Sequence, residues 1–283
     1  MYSKGYGIIE TLAPLQVGAT AGEETGNLNL IYRDQFTQTG IVPGSSIRGR
    51  LRADMFARTG DKNQTDDWYG RASEKNRQEN HFYESVIKIE YASIVWLPVF
   101  CPGQPIVWVS CPRLLERYQR IIGCEEKAPD PYTSSKTLKA RKLKKPKGED
   151  KEVLFFNLGF LTIKTPNKDL SSWFPGEEKQ YPAVVVDNND MGMIHDMALY
   201  RQSRVALEPG EKVASNKAFF NEEALPEGTI LIFPIAIKYR PEKDWKDWHP
   251  LEKDKEGDIY LGGLESIGFG HCSVKIKKLE EEK

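Results

Sequence analysis

The stretch Ile41–Arg52 reads IVPGSSIRGRLR and leads into a helical pattern. Apolar residues at positions 47, 51, 55 and 56 repeat at helical spacing, which predicts a helix that runs to about Arg58. Ser45 or Ser46 is expected to cap this helix, because a serine hydroxyl accepts a hydrogen bond from an unpaired backbone N–H of the first turn.

The same stretch carries groups that bind anions. Gly44, Ser45 and Ser46 place backbone N–H groups and hydroxyls at the helix N-terminus, where the helix dipole favours negative charge. Arg48 and Arg52 are four residues apart and would lie on one helix face, and guanidinium groups recognise phosphates. A phosphate chain is a natural ligand for this face. The alternative is that the serines only cap the helix and the arginines only face solvent.

Catalytic sequence motifs are mostly absent. Gly44 and Gly49 have the spacing of a P-loop, but Arg50 and Leu51 stand where a lysine and a serine or threonine are needed. This difference argues against nucleotide hydrolysis. The chain contains no GxSxG, HExxH or CxxC, and its four histidines lie far apart, so no metal site is predicted.

Composition limits the possible partners and compartments. Forty Lys+Arg and 41 Asp+Glu give a net charge of -1, so any affinity for a polyanion must come from where the basic residues lie. The opening MYSKGYGIIE lacks the apolar core of a secretion signal, and no stretch reaches the roughly 18 apolar residues of a membrane span. The four cysteines form no CxxC pair. We therefore expect a cytoplasmic protein with no membrane partner.

Strand-like and helical segments follow one another irregularly. Strands are expected within 6–12, 85–109, 153–163 and 229–239 and before Ile276, and a second helix from Pro112 to about Gly123. The polar stretch Gly60–Asn80 predicts an exposed insertion, and Lys136–Lys147 predicts a mobile basic loop. Because regular βα alternation is missing, these elements favour an α+β fold with long insertions.

A second glycine-rich segment near the end of the chain contains Gly262, Gly263, Gly268 and Gly270. Such a backbone is bare enough for another chain to approach closely, although a tight β-turn uses glycine in the same way. The basic loop adds Lys139 and Arg141, which would contact RNA or only keep the loop solvated. Together with the Gly44–Arg52 segment, these elements favour a localised track for a nucleic-acid backbone.

Two segments, Ile41–Arg52 and Gly262–Gly270, resemble the signatures of the RAMP superfamily, the RNA-binding proteins of CRISPR effector complexes. Between them, Leu97–Tyr118, Glu149–Leu161 and Arg204–Leu231 are similar to the backbone (Cas7-like) subunit of the type III-B Cmr complex. The resemblance implies a modified ferredoxin-like (RRM-type) palm with a thumb hairpin and helical insertions. It also implies one RAMP domain over residues 1–283, with insertions near 60–82, 124–150 and 165–228.

The resemblance further implies a subunit that binds CRISPR guide RNA and captures complementary target RNA in antiviral defence. Several copies would stack as a filament along one guide RNA, together with other type III effector subunits. The Gly44–Arg52 segment and the C-terminal glycines would hold guide phosphates. In this family the subunit usually cuts target RNA with an aspartate and a divalent ion such as Mg²⁺, which is not stably bound.

Two positions depart from the family's catalytic pattern. The expected histidine is Gln16, and the expected aspartate is Asn29, which cannot ionise and so neither attracts a cation strongly nor accepts a proton. Asp34 and Glu223 are the substitutes that the resemblance offers, although Asp34 would otherwise pair with Arg33 or cap a turn. We therefore expect impaired target cleavage. An active metal-dependent endoribonuclease that cuts target RNA at regular intervals is the alternative.

The thumb has two candidate positions. Met191, Met193 and Ile194 would form an apolar tip that wedges between bases, unless they pack in the core. The other candidate is Gly60–Asn80.

Two further functions are less favoured. A processing endonuclease of the same superfamily often works through a histidine in the N-terminal palm, and the first eighty residues contain none. A glycine-rich interaction module unrelated to RNA would leave the arginines of the Ser45–Arg52 helix without a role.

Overall fold

The structure is a computed structural model that describes residues 2–18, 28–70, 84–144, 150–157, 159–176, 181–207, 214–240 and 243–279. The α-helices in these ranges are α1 (Gly44–Thr59), α2 (Lys62–Tyr69), α3 (Pro112–Ile122) and α4 (Asn188–Ala198). Short 3₁₀ helices lie at Ser171–Trp173, Trp245–Asp247 and Glu265–Ile267.

The strands belong to three sheets. In chain order they are β1 (Tyr2–Thr11), β2 (Leu28–Asn29), β3 (Ile41–Val42), β4 (Ile87–Ile89), β5 (Ala92–Cys101), β6 (Gln104–Ser110), β7 (Thr133–Ser135), β8 (Arg141–Leu143), β9 (Lys151–Phe156), β10 (Gly159–Thr162), β11 (Thr165–Lys168), β12 (Ala183–Val185), β13 (Tyr200–Leu207), β14 (Ala214–Ala224), β15 (Ile230–Lys238), β16 (Glu256–Tyr260) and β17 (His271–Lys278). The central sheet has the order β11-β7-β12-β6-β5-β15-β1-β17-β16, with β3 paired to β5 and β4 to β15. Two smaller sheets have the orders β10-β9-β8 and β13-β14-β2.

Helices cover both faces of the central sheet. Neighbouring side chains of a strand point to opposite faces, so adjacent residues of one strand show what packs on each face. In β1, Ile8 and Ile9 belong to two different hydrophobic clusters. The cluster of Ile8 includes Leu115 of α3, and the cluster of Ile9 includes Leu51 of α1 and Met191 of α4. Most buried residues of α3 belong to the cluster of Ile8, whereas its Leu114 belongs, with α1 and α4, to the cluster of Ile9.

Both helices predicted from apolar spacing are confirmed. α3 ends at Gly123, whose left-handed backbone forms the C-cap. In α1 the predicted serine cap is wrong: the N-cap is Pro43, and no side chain caps the helix. The helix begins at Gly44, so Ser45 and Ser46 already lie inside its first turn and cannot occupy the cap position. Phe56, at the edge of the predicted apolar face, is 48% exposed.

Two predicted loops contain regular structure. α2 begins after Asp61, whose carboxylate accepts from two backbone N–H groups of the first turn, and it buries Trp68 and Tyr69. The prediction of an exposed insertion over Gly60–Asn80 is therefore wrong at the buried residues of 65–70, whereas Gly60–Gln64 are exposed as predicted. Residues 71–80 lie outside the described residues. The basic loop includes β8, which pairs with β9, so the prediction of a mobile loop is wrong at Arg141–Leu143. Residues 145–147 of that loop are also outside the described residues.

The predicted apolar thumb tip is not formed. Met191 and Ile194 are buried on the inner face of α4, whereas Met193 is exposed, so core packing explains two of the three residues. Because α4 is amphipathic and lies against β5, its apolar side chains face the sheet. The hairpin of this region is formed by β13 and β14, within the predicted insertion at 165–228.

The prediction of an α+β fold is confirmed by the mixed sheets and the helices packed on them. The antiparallel order β5-β15-β1-β17 matches a ferredoxin-like sheet in which α1 follows β1. Among the described residues, however, no α-helix lies between β15 and β17, and further strands, α2 and α3 interrupt the succession. This part of the prediction is thus confirmed only in part. Within the described residues, no helix is both long and apolar enough to cross a membrane.

Candidate nucleic-acid interface

The two glycine-containing segments singled out in the sequence meet in the structure. Arg50 of α1 places Nη1 3.4 Å from Oε2 of Glu265, which lies in the glycine loop Leu261–Gly270. The N–H of Gly263 in this loop donates to the carbonyl oxygen of Gln16 at 2.9 Å. Three parts of the chain, at residues 16, 50 and 261–270, therefore form one surface.

Close packing within the chain explains several of the glycines. Gly262 has φ +78°, and a Cβ there would lie 2.0 Å from the Gln16 carbonyl oxygen. A Cβ on Gly270 would lie 2.2 Å from the carbonyl oxygen of Leu261, and one on Gly44 would lie 2.3 Å from that of Ile89. These three glycines allow close approach between backbones of this chain.

Two other glycines have no such neighbour. Gly268 has φ +91°, and a Cβ there would meet no atom within 4 Å. Gly49 lies exposed in the middle of α1 and also has open space where its Cβ would be. Glycine inside a helix costs about 0.5–1 kcal/mol relative to alanine, and no contact of the chain explains it at this position. Gly49 borders an open cavity of about 410 Å³, together with Arg48, Arg52, Ala53, Phe56, Lys62, Thr65 and Asp66.

The arginines of α1 connect this helix to α2. Arg48 donates to the carbonyl oxygen of Tyr69, and Arg52 Nη2 lies 2.5 Å from Asp66 Oδ1. Both guanidinium groups border the cavity beside Gly49. Because a guanidinium carries five N–H donors, each of these contacts occupies only part of its donor set.

Lys139 and Arg141 lie away from this surface. The backbone of Lys139 exchanges two hydrogen bonds with the side chain of Gln104, each 3.0 Å long. Gln104 begins β6, which is separated from β17 by three strands in the sheet order. That separation is about 19 Å at the usual strand spacing.

Asn29 is paired with a buried carboxylate. β2 runs parallel to β14 with Asn29 opposite Glu222, and Asn29 Nδ2 donates to Glu222 Oε1 at 2.8 Å. Glu222 is 2% exposed, and its Oε2 has no hydrogen-bond partner among the described residues. Gln16 lies near β2 in the fold. Val17, which follows Gln16, accepts a hydrogen bond from the N–H of Tyr32, three residues after Asn29.

Glu223 is held between two arginines. Its Oε2 lies 3.0 Å from Arg33 Nη2 and its Oε1 lies 3.0 Å from Arg201 Nη2. Arg33 also forms an ion pair with Asp196 of α4. Burial alone would lower the pKa of Arg33, but the hydrogen bonds and charges of Asp196 and Glu223 outweigh burial and raise it. We call these four residues the ion-pair cluster.

Asp34 caps a turn. Its Oδ1 accepts from the N–H of Phe36 at 3.0 Å and from the N–H and hydroxyl of Thr37 at 2.8 and 3.0 Å. Burial opposes ionisation, but these hydrogen bonds and the charge of Arg113 hold the pKa of Asp34 below its ordinary value. Of the two structural alternatives for Asp34, the turn cap is confirmed. Pairing with Arg33 is wrong, because that guanidinium is directed to Asp196 and Glu223.

The residues near Asn29 do not fit a divalent ion. Mg²⁺ requires several oxygen ligands in octahedral geometry. Here Glu222 is the carboxylate beside Asn29, whereas both oxygens of Glu223 face guanidinium groups. Among the described residues, no group of three or more His, Cys, Asp or Glu side chains is arranged to hold a metal ion.

His195 is a buried residue of α4 that no sequence pattern marked. Its Nε2 accepts from the N–H of Gly40 at 2.9 Å, and its Nδ1 has no hydrogen-bond partner among the described residues. Burial, followed by the charge of Arg33, lowers the pKa of His195 from 6.5 to about 3. His195 therefore stays neutral and acts as a hydrogen-bond acceptor for Gly40.

This burial predicts acid sensitivity. Below pH 6.5 the unfolded chain binds a proton on His195 that the folded chain does not bind until about pH 3. As the pH falls from 6.5 to about 3, the free energy of unfolding should therefore decrease by about 1.4 kcal/mol per pH unit. Urea unfolding of the parent and of His195→Gln checks the prediction, since the variant should lose this slope. His249→Gln, at an exposed histidine, should keep it.

The comparison with protein families agrees with this architecture. The model of the RAMP superfamily matches residues 8–273, so the chain belongs to the RAMP superfamily. No match was found among curated protein sequences.

Solved structures with a similar fold include a chain of a type III-B complex and an oligomeric Cmr4. A chain of the type III-B Cmr-beta complex bound to cognate target RNA is 15% identical, with a TM-score of 0.72 and 96% of each chain covered. Oligomeric Cmr4 from Pyrococcus furiosus is 16% identical, with a TM-score of 0.65 and 99% of each chain covered. At these identities the similarity concerns the fold.

Proposed function

We propose that this chain is a guide-RNA-binding backbone subunit of a type III CRISPR ribonucleoprotein. It captures complementary target RNA in antiviral defence, and its target-cleavage site is impaired. Its partners are the guide RNA, the target RNA, further copies of the chain in a filament, and other effector subunits. Membership of the RAMP superfamily supports this proposal. A similar fold in a complex bound to target RNA and in an oligomeric Cmr4 also supports it.

The observation that carries the RNA-binding proposal is the surface shared by α1 and the glycine loop. Arg50 and Glu265 are 215 positions apart in the chain, yet their side chains are in contact. On this surface, Gly49 and Gly268 leave space that no atom of the chain fills. Bare backbone beside guanidinium groups suits the close approach of phosphates.

The proposal of impaired cleavage is based on the groups around position 29. Asn29 lacks a titratable proton and donates a hydrogen bond to Glu222. The suggested substitutes have other contacts: Asp34 caps a turn, and Glu223 is paired with two arginines. Neither is placed to act as a general base or as a metal ligand, so the active-endoribonuclease alternative gains no support from these contacts.

RNA binding through phosphates predicts strong salt dependence. Each phosphate contact with a single strand releases condensed counterions, so about four contacts should give a slope of about -3 for log K against log salt. Fluorescence anisotropy of labelled guide RNA with the full chain, from about 50 mM to about 200 mM salt, measures this slope. A salt-independent affinity would contradict the proposal.

A further inference from the structure

The small sheet β10-β9-β8 exposes an unusual combination of side chains. Phe155 and Phe160 are directly opposite each other in β9 and β10, with ring centroids 5.1 Å apart. Phe160 is 68% exposed and Phe155 is 41% exposed. Leu143 of β8, which is 45% exposed, lies on the same face as Phe155. We call this side of the sheet the aromatic face.

The orientation of this sheet is fixed by its other side. Leu154 and Phe156 alternate with Phe155 along β9 and are buried in the main hydrophobic cluster. Because neighbouring residues of a strand point to opposite faces, burial of these two side chains directs Phe155 outward. The aromatic face is therefore a fixed feature of the fold: Phe155 and Phe160 remain exposed on it, whereas Val153 on the same side is buried.

Basic side chains lie among the apolar ones. Arg141 is opposite Val153, and Lys151 is opposite Leu143, so both share the aromatic face with Phe155. Both are exposed, and neither forms an ion pair with an acidic residue of the described ranges. Exposed Lys139 and Lys144 lie just outside the face on the same segment.

The combination of exposed aromatic rings and basic groups favours RNA over a protein as the partner of this face. The buried centre of a protein–protein interface is depleted of charged residues, whereas single-strand-binding surfaces combine exposed aromatic rings with basic groups along the backbone. On the aromatic face, guanidinium and ammonium groups lie in the same cross-strand rows as the apolar side chains. Charge complementarity therefore favours a polyanion with unstacked bases.

We infer that the aromatic face of β8–β10 is a second RNA contact, at which unpaired bases of a single strand stack on Phe160 and Phe155 while Arg141 and Lys151 contact its phosphates. This inference rests on the proposed RNA-binding function. It assigns a site outside the α1 and glycine-loop surface and names its ligand as single-stranded rather than duplex RNA. Base stacking on exposed rings requires unpaired bases, because a duplex already stacks its own.

Binding of a labelled oligouridine of about 12 nucleotides to the full chain tests the inference. Phe160→Ala is expected to weaken binding about tenfold, because it removes one stacking platform. Its matched control is Tyr239→Ala, which removes a ring that is 67% exposed directly after β15 and should leave affinity unchanged. Affinity for a duplex of the same length should be the same for the parent and Phe160→Ala.

The remaining outcomes separate the two proposals. Equal affinity of the parent and Phe160→Ala for oligouridine overturns the aromatic-face site and leaves the proposed function standing. Absence of oligouridine and guide-RNA binding by the parent overturns both. If Phe160→Ala instead changes only the sedimentation of the protein alone, the face is a contact between copies and the inference is wrong. Circular dichroism of each variant verifies that it is folded.

Discussion

Replacement of Glu223 by glutamine is expected to lower the free energy of unfolding by about 2–3 kcal/mol. The carboxylate is 3% exposed and lies 3.0 Å from both Arg33 and Arg201. Removal of one partner of a buried ion pair leaves the other charges uncompensated, which costs about 3–5 kcal/mol when all partners are fully buried. Arg33 and Arg201 are partly exposed, so water compensates some of this loss.

Urea unfolding of the parent and Glu223→Gln measures this effect. Glu256→Gln provides the matched control, because its ion pair with Lys275 at 3.2 Å is exposed and should contribute less than about 1 kcal/mol. The ion-pair cluster joins α4 and the base of the β13–β14 hairpin to Arg33. If Glu223 were instead a catalytic acid, its replacement would abolish RNA cleavage without loss of stability, and our description of the cluster would be wrong.

Asn29→Asp is expected to make the stability of the folded chain depend on pH and on divalent metal ions. The substitution replaces an amide donor, 2.8 Å from Glu222 Oε1, by a second carboxylate. Two carboxylates at this distance cannot both ionise readily, so one folded-state pKa rises above its unfolded value. The variant is then least destabilised at low pH and loses stability as pH rises through the raised pKa. At neutral pH the loss should reach about 2 kcal/mol.

Divalent ions should reverse this loss in Asn29→Asp, because a cation bound between two carboxylates stabilises the folded chain. Thermal unfolding with Mg²⁺ and with EDTA measures the difference. Asn29→Ala, which removes the hydrogen bond without adding a second carboxylate, should show no stabilisation by Mg²⁺. With guide and complementary target RNA, regularly spaced cuts are expected only from the Asp variant. Equal stabilisation of the parent by Mg²⁺ would contradict the proposed silencing of this site.

Regular apolar spacing made α1 and α3 predictable, because three to four turns of a helix repeat the same pattern. α2 was missed because its buried side chains, Trp68 and Tyr69, are adjacent to each other and follow a polar segment. Its position is decided by contacts made elsewhere, such as the hydrogen bond from Trp248 Nε1 to the Tyr69 hydroxyl. From the sequence, Met191 and Ile194 could belong either to the core or to an exposed thumb tip. The packing of α4 shows that they belong to the core.

The surroundings of the proposed cleavage site were not predictable from local sequence. Asn29 and Glu222 are 193 positions apart, and Arg33 and Glu223 are 190 positions apart. Their contacts depend on the parallel pairing of the two-residue strand β2 with β14, which has no periodic signal. The glycines were recognised as a group, but the structure separates Gly262, which the chain itself requires, from Gly49, which it does not.

Gly49→Ala tests the central claim most directly, with RNA affinity and thermal stability measured on the same protein. A methyl group at this position meets no atom of the chain within 4 Å, so alanine should stabilise α1 by about 0.5–1 kcal/mol. If α1 lies against a guide-RNA backbone, the same methyl group enters the space of the phosphates, and we expect affinity to fall about tenfold, the equivalent of about 1.4 kcal/mol. Higher stability with weaker RNA binding is the predicted result. Higher stability with unchanged RNA affinity would contradict an RNA track on this face of α1.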